Sequence, residues 1–341
     1  MKNLFYLFVL AIILASCSKD KIVEQQSNDN KNEIKLVTLS DGSKTGVTLL
    51  EFTSVEHFEA TITSLETQME QHVGAFVTTW SNLSDEDLES KETEVGFVDH
   101  QPLVDFENAY NVPSSLRQVF YAAEEQWLNN EELVPENSPS LVYPFGMAEL
   151  TLLNSDGMVK IGDKIIQLTK KGFVQIANLD IATVIRIKNG DMTALNEPTV
   201  TTNIELDNGG GKSGTDCSRW AAKEDYKYYD YNNKKVKRHV HFHSYPWKGV
   251  SEADITSYKK KNGSWKRHKT NLGVADQSYF RDNDCNSSLS GWSGWKRKKR
   301  ESISERVASW GAFPQYRAEN GVSVIGYFEY PGYSNSLVLT W

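Results

Sequence analysis

The sequence predicts an α+β protein: N-terminal helices with a small β-meander, followed by an all-β sandwich (jelly-roll-like) C-terminal domain. Three observations carry this. Apolar residues recur at three- and four-residue steps between Phe58 and Trp127, the spacing of one helix face. From about Ser138 short apolar runs alternate with Asn/Asp/Gly turns. Residues 211–341 hold 22 aromatic residues in 131 positions, a composition that favours strands.

The first seventeen residues are a targeting signal. One basic residue, Lys2, precedes an unbroken apolar run from Leu4 to Ala15, and the run closes in Leu14-Ala15-Ser16-Cys17. That is the order of an export signal, and the run is shorter than the roughly 20 residues a spanning helix needs. The last four residues match the bacterial lipobox. They predict a signal peptide over 1–16, cleavage after Ser16 and a lipid on Cys17, with residues 17–34 as a polar, disordered tether. Three acyl chains hold a protein far more firmly than one. Ser18, in place of an aspartate, permits the outer membrane, on its periplasmic or its surface-exposed face. The membrane is therefore one expected partner, through the lipid alone.

Charge divides the rest. Residues 18–210 carry 13 basic against 32 acidic residues, a net of −19, while residues 211–341 carry a net of +10. The overall net charge of −8 conceals this. Such a split speaks either of a partner or of mutual docking. The predicted organisation is an acidic α+β domain over 35–206, a Gly-rich linker over 207–215 and a basic, aromatic-rich sandwich over 216–341. Beyond Cys17 only Cys217 and Cys285 remain, and an even pair in an exported chain reads as a disulfide. Closing that loop would contribute about 4 kcal/mol on the chain-entropy account.

Within the acidic half, Lys35–Ser40 and Gly46–Phe52 read as strands around Asp41-Gly42. Ser54 caps a helix with Phe58, Ile62, Leu65 and Met69 on one face. A second helix starts near Pro113-Ser114-Ser115, with Leu116, Val119, Phe120 and Trp127 facing the core. The stretch Ser84–Glu94 reads as acidic and solvated. Ala148–Leu153, Met158–Ile161, Ile165–Leu168, Phe173–Ile176 and Thr183–Ile187 read as the strands of the meander. In the basic half, Val236–Phe242 alternates, and Asn262-Gly263 is the strongest short hairpin signal available. Gly321–Tyr330 and Ser336–Trp341 flank Pro331-Gly332 as a final pair of strands.

Several of these stretches together resemble an uncharacterised group of Bacteroidetes exported lipoproteins. They are the lipobox, Phe58 and Leu65 on an early helix, Gln101-Pro102-Leu103-Val104-Asp105-Phe106, and above all Leu153-Asn154-Ser155-Asp156-Gly157-Met158-Val159-Lys160-Ile161-Gly162-Asp163. The resemblance covers residues 1–200 well and the basic half more loosely. It implies lipidation and phylum, and it brings no catalytic residue with it.

Three constellations bear on function. His239, His241 and His243 alternate on one strand, so their imidazoles share a face. Two histidines at that spacing can share a zinc or copper ion with a third ligand from elsewhere, although Lys235 and Lys237 continue the same face. The plainer reading is a polar outer face, so no cofactor is required and a divalent metal is the alternative. Second, a two-residue hairpin loop pairs Lys260 with Trp265, Lys259 with Lys266 and Tyr258 with Arg267. Like charges directly opposite are unfavourable, unless they are solvated, face an anion or dock on the acidic half. Third, Trp292 and Trp295 lead into Lys296, Arg297 and a further run of basic residues. Rings beside cations suit anionic polymers.

Catalytic templates are absent: there is no H-E-x-x-H and no G-x-S-x-G. Gly211-Lys212-Ser213 lacks the first glycine of a phosphate loop, since Leu206 stands there. The expectation is a non-catalytic lipoprotein that binds a polysaccharide or another polyanion, with no nucleic-acid partner. A structural protein working through protein contacts and an exported hydrolase of unrecognised type are the alternatives.

Overall fold

The computed structural model describes residues 33–40, 46–130, 133–204, 222–231, 233–281, 288–310, 315–316 and 322–340. Cys17, the tether up to residue 32, the 207–215 linker and the Cys217–Cys285 pair lie outside them. Residues Ile34–Trp341 form one compact unit. The protein is mixed α+β with a sheet-rich, sandwich-like C-terminal half.

The N-terminal half opens with the hairpin β1 (Lys35–Ser40) and β2 (Gly46–Phe52). Next come four helices, α1 (Val55–Thr79), α2 (Asp85–Val95), α3 (Gln101–Ala109) and α4 (Leu116–Leu128). Ser54, Ser84 and Ser115 start α1, α2 and α4 by accepting hydrogen bonds from the N–H groups of His57, Asp87 and Gln118, as N-cap serines do. Phe58, Ile62 and Leu65 of α1 lie buried with Leu116 and Phe120 of α4, the faces the periodicity predicts. The sheet is completed by β3 (Met158–Ile161), β4 (Lys164–Thr169), β5 (Gly172–Ile176) and β6 (Val200–Thr202), in spatial order β1 to β6. Its one parallel pairing sets Phe52 of β2 beside Ile161 of β3.

Three predicted elements differ. Met147–Leu152 is a helix, α5, not a strand. The Glu149 carboxylate reaches back to the Gly146 N–H at 3.0 Å and fixes its first turn. The segment is buried on all sides, so its hydrophobicity shows no period. Ile181–Lys188 is likewise a helix, α6, started by Asp180, which accepts from the Thr183 N–H. Its β-branched residues suggest a strand, but Val184 and Ile187 share the helix face that packs beneath the meander. The acidic stretch after Ser84 is solvated as expected, with Glu86, Asp87, Ser90, Thr93 and Glu94 exposed, but it is a helix, α2. Asp85, Glu86 and Asp87 occupy its first turn, where carboxylates favour the helix dipole.

The C-terminal half is two facing sheets. The first runs β10 (Ser264–Arg267), β9 (Lys248–Lys261), β8 (Lys234–Ser244), β7 (Ala222–Tyr231), with β14 (Ser302–Trp310) also on β9. The second runs β12 (Ser288–Trp292), β11 (Thr270–Arg281), β16 (Val322–Tyr330), β17 (Tyr333–Thr340). The short strands β13 (Lys296–Arg300) and β15 (Gln315–Tyr316) pair with β11. Val236, Val240 and Phe242 of β8 and Ile255 of β9 meet Leu272, Val274, Val324 and Phe328 between the sheets. The predicted hairpin register is found: Lys260 opposes Trp265 and Tyr258 opposes Arg267, around Asn262 and Gly263, both at positive φ.

Among the described residues, one fully buried acid lies between the two sheets. Asp276 is buried and accepts from the hydroxyls of Ser251 and Ser278. Burial pushes its carboxyl up, from 3.8 to about 7, against those two hydrogen bonds. A carboxyl raised on folding holds its proton longer in the folded state. Its contribution to stability is therefore complete at low pH and is lost as pH rises through the folded value. Asp276→Asn is expected to gain melting temperature relative to the wild type as pH is raised from about 5 to about 8. A melting-temperature difference that stays flat across that range would contradict the assignment.

Candidate functional site

The basic face of the sandwich is largely occupied by the protein's own acids. Lys259 lies 3.2 Å from Glu86 and Lys261 2.9 Å from Glu89, both on α2. Lys269 meets Glu92 and Asp99, and Lys299 meets Asp85 at 2.7 Å. Lys298 and Arg300 share Glu70 of α1, and Arg306 pairs with Glu66. Arg267 is held by both oxygens of Glu124 on α4, at 2.9 and 3.0 Å. Apolar contacts accompany the charges: Tyr258 and Trp127 are buried against each other, and Tyr245 and Val250 enter the N-terminal core beside Phe58.

This arrangement places the predicted ligand-binding residues in separate environments. Tyr258 is buried, not displayed, because α4 covers its side of the hairpin. Lys259 and Arg267 are tied to carboxylates. Lys260 and Lys235 each lie near the Trp265 ring, at 5.8 and 5.5 Å. Lys296 faces Glu305, while Arg297 pairs with Glu329 and lies 4.4 Å over Trp295. The opposed lysines Lys259 and Lys266 are thus tolerated because Lys259 docks on an acidic helix.

The histidine face is polar, as alternation requires, but it is not an outer face. The helices and Tyr143–Ala148 lie over it and line a half-open cavity of about 610 Å³. The β8–β9 register sets His239 opposite Asp254 and His241 opposite Glu252. All three imidazoles are buried and stack along the strand, with centroids 4.6 and 5.5 Å apart. His239 donates through Nδ1 to Asp254 at 2.8 Å, and Lys237 approaches the other carboxylate oxygen at 2.9 Å. Burial pushes the Asp254 carboxyl up, but Lys237, His239 and His241 reverse this and hold it well below the usual range. Burial raises Glu252 to about 8 and takes His243 down to about 3. Sequence reasoning found the histidines but missed both acids. The signal was the tight turn around Pro246, from which the cross-strand pairs can be counted.

A second surface lies on the far side of the sandwich. Trp292 and Trp295 are exposed, at 51% and 39%, on the open face of the second sheet. Their rings stand 5.5 and 6.4 Å from Tyr327. The Tyr327 hydroxyl donates to Gln277, whose amide donates to Tyr279. Glycine precedes both Trp292 and Tyr327. A Cβ on Gly291 would strike Val307 at 2.1 Å, and one on Gly326 would strike Val240 at 2.3 Å. The sheets therefore approach closely beneath the rings, and the strands carrying them are held flat against the core.

No family model and no curated protein matches the chain. Among solved structures, a DUF4848 family protein from Bacteroides thetaiotaomicron aligns at 12% identity with a TM-score of 0.20, covering 90% of this chain and 100% of that one.

The docked face makes a graded prediction. Glu124→Ala leaves the partly buried Arg267 without its carboxylate and is expected to cost about 1.5–3 kcal/mol, the worth of a hydrogen bond to a charged group. Lys261→Ala, at an exposed pair, is expected to cost less than about 1 kcal/mol. Urea unfolding of the two variants measures both, and equal costs would mean that the docking is not charge-specific.

Proposed function

We propose that this protein is a lipid-anchored, non-catalytic carbohydrate-binding protein of the outer membrane, with the Trp292–Trp295–Tyr327 surface as its binding platform. The observation that carries the reading is two exposed indoles grouped around a tyrosine on an open sheet face. Contiguous exposed aromatic surface marks a contact site. A ring offers an apolar body to the C–H face of a sugar, while Gln277, Tyr279 and the Tyr327 hydroxyl supply polar handles nearby.

Charge refines the ligand class. The cations beside the platform, Lys296 and Arg297, each have a carboxylate partner. The hairpin cations Lys259 and Arg267 face the acidic helices instead. A neutral polysaccharide fits this surface better than a polyanion. The lipid on Cys17 would make weak contacts useful by holding the platform at the membrane.

Screening the full chain against neutral and acidic polysaccharides tests the proposal. Binding to a neutral glycan is expected, nearly independent of salt. Trp292→Ala with Trp295→Ala should weaken it at least about tenfold, the loss of roughly 1.4 kcal/mol. Undiminished binding by the double variant, or binding to acidic polymers alone with a steep salt dependence, would overturn it.

A further inference from the structure

The cavity beneath the helices carries an inference independent of the platform. We infer that His239, His241 and Asp254 form a binding site for one divalent first-row transition-metal ion, open to the cavity. Each residue offers one ligand atom, and the three atoms lie within 4.8 Å of one another. Ligands about 2.0–2.2 Å from a tetrahedral ion sit roughly 3.4 Å apart. The Asp254 oxygen stands 2.8 Å from His239 Nδ1 and 4.0 Å from His241 Nδ1, values that bracket that edge. Small side-chain rotations would close the set.

The second observation is His241 itself. It is 4% exposed, and neither ring nitrogen has a hydrogen-bond partner among the described residues. Leaving a buried imidazole unsatisfied is costly. Its Nδ1 faces Asp254, while its Nε2 stands 3.9 Å from a Glu252 oxygen that also lacks a hydrogen bond. A metal-bound histidine commonly gives its other N–H to a carboxylate, which fixes the tautomer. Glu252 is placed to receive it.

The cations on this face do not block the site. Lys235 turns to Asp230 at 3.5 Å. Lys237 holds Asp254 through the other carboxylate oxygen and also reaches Ser140 at 2.9 Å, so an ion would take the place of the Nδ1 proton between His239 and the first oxygen, and that proton is released as the metal binds. His243 stands outside the set, with its Nε2 against the Tyr245 hydroxyl at 3.1 Å. Three protein ligands with a fourth position facing a cavity is the arrangement of an exchangeable site, not a closed structural one.

Calorimetric titration of the chelator-treated full chain with Zn²⁺ tests this, with Co²⁺ as a spectroscopic probe. One-to-one binding is expected, and bound Co²⁺ should give visible d–d bands. His241→Ala and Asp254→Asn should each lose at least about a hundredfold in affinity, and Glu252→Gln about ten- to a hundredfold. His243→Ala should bind as the wild type does. Thermal melts of the variants establish that they are folded, and the Co²⁺ spectrum of the unaltered chain stands apart from any variant. No heat with Zn²⁺ and no d–d bands with Co²⁺, or full affinity retained in both His241→Ala and Asp254→Asn, would overturn the inference. So would a loss in His243→Ala as large as that in His241→Ala.

Discussion

The structure depends on one constraint: a sheet face that carries charge must be buried. The face of β8, β9 and β14 bearing Lys237, His239, His241, Glu252, Asp254 and Arg306 cannot pack on an apolar layer. It is met instead by acidic helices. Buried ion pairs roughly break even against desolvation, so their effect is on register more than on net stability. Glu86 and Glu89 on α2 find Lys259 and Lys261, and Glu124 on α4 finds Arg267. Each helix has few other positions where its charges would be answered. The driving free energy comes from the apolar contacts within the same interface, Trp127 on Tyr258 and the β8–β9 turn entering the core around Phe58.

That division explains how satisfaction varies across the interface. At its rim nearly every cation has a carboxylate within reach. At its centre His241 and one Glu252 oxygen lack hydrogen bonds, and among the described residues so do both ring nitrogens of His268 beside α2. Exceptions to local consistency gather where a protein does something other than fold. The cavity opens at this point, between the strands and the segment from Tyr143 to Ala148.

Much of the fold was legible in the sequence, where a single periodicity operates. The α1 face of Phe58, Ile62 and Leu65 follows from 3.6-residue spacing, and the Lys260–Trp265 pairing follows from Asn262-Gly263 alone. Legibility ended at two short helices. Residues 147–152 are buried on all sides and 181–188 are rich in β-branched residues, so period fails in the first and propensity misleads in the second, and the Glu149 and Asp180 caps decide. The charge split of −19 and +10 was visible, but not its meaning, because docking and ligand binding demand the same residues. Asp254 and Glu252 were hidden for a related reason. An acid on a strand is unremarked until the register sets it opposite a histidine.

The proposed platform and the proposed metal site lie on opposite sides of the sandwich, yet they share a physical link. Sheets pack about 10 Å apart, and here glycines let the strands come closer. Gly326, next to Tyr327, takes the position that the Val240 side chain would otherwise contest. Val240 lies between His239 and His241 on β8. The strand that carries the platform tyrosine therefore bears directly on the strand that carries both imidazoles, with no flexible side chain between them. Gly291 and Val307 repeat the contact beneath Trp292. Close-packed interiors transmit strain instead of absorbing it. A change in sheet spacing at these glycines would therefore be felt on both faces at once, so the sandwich core, rather than either surface, sets how accurately each is held.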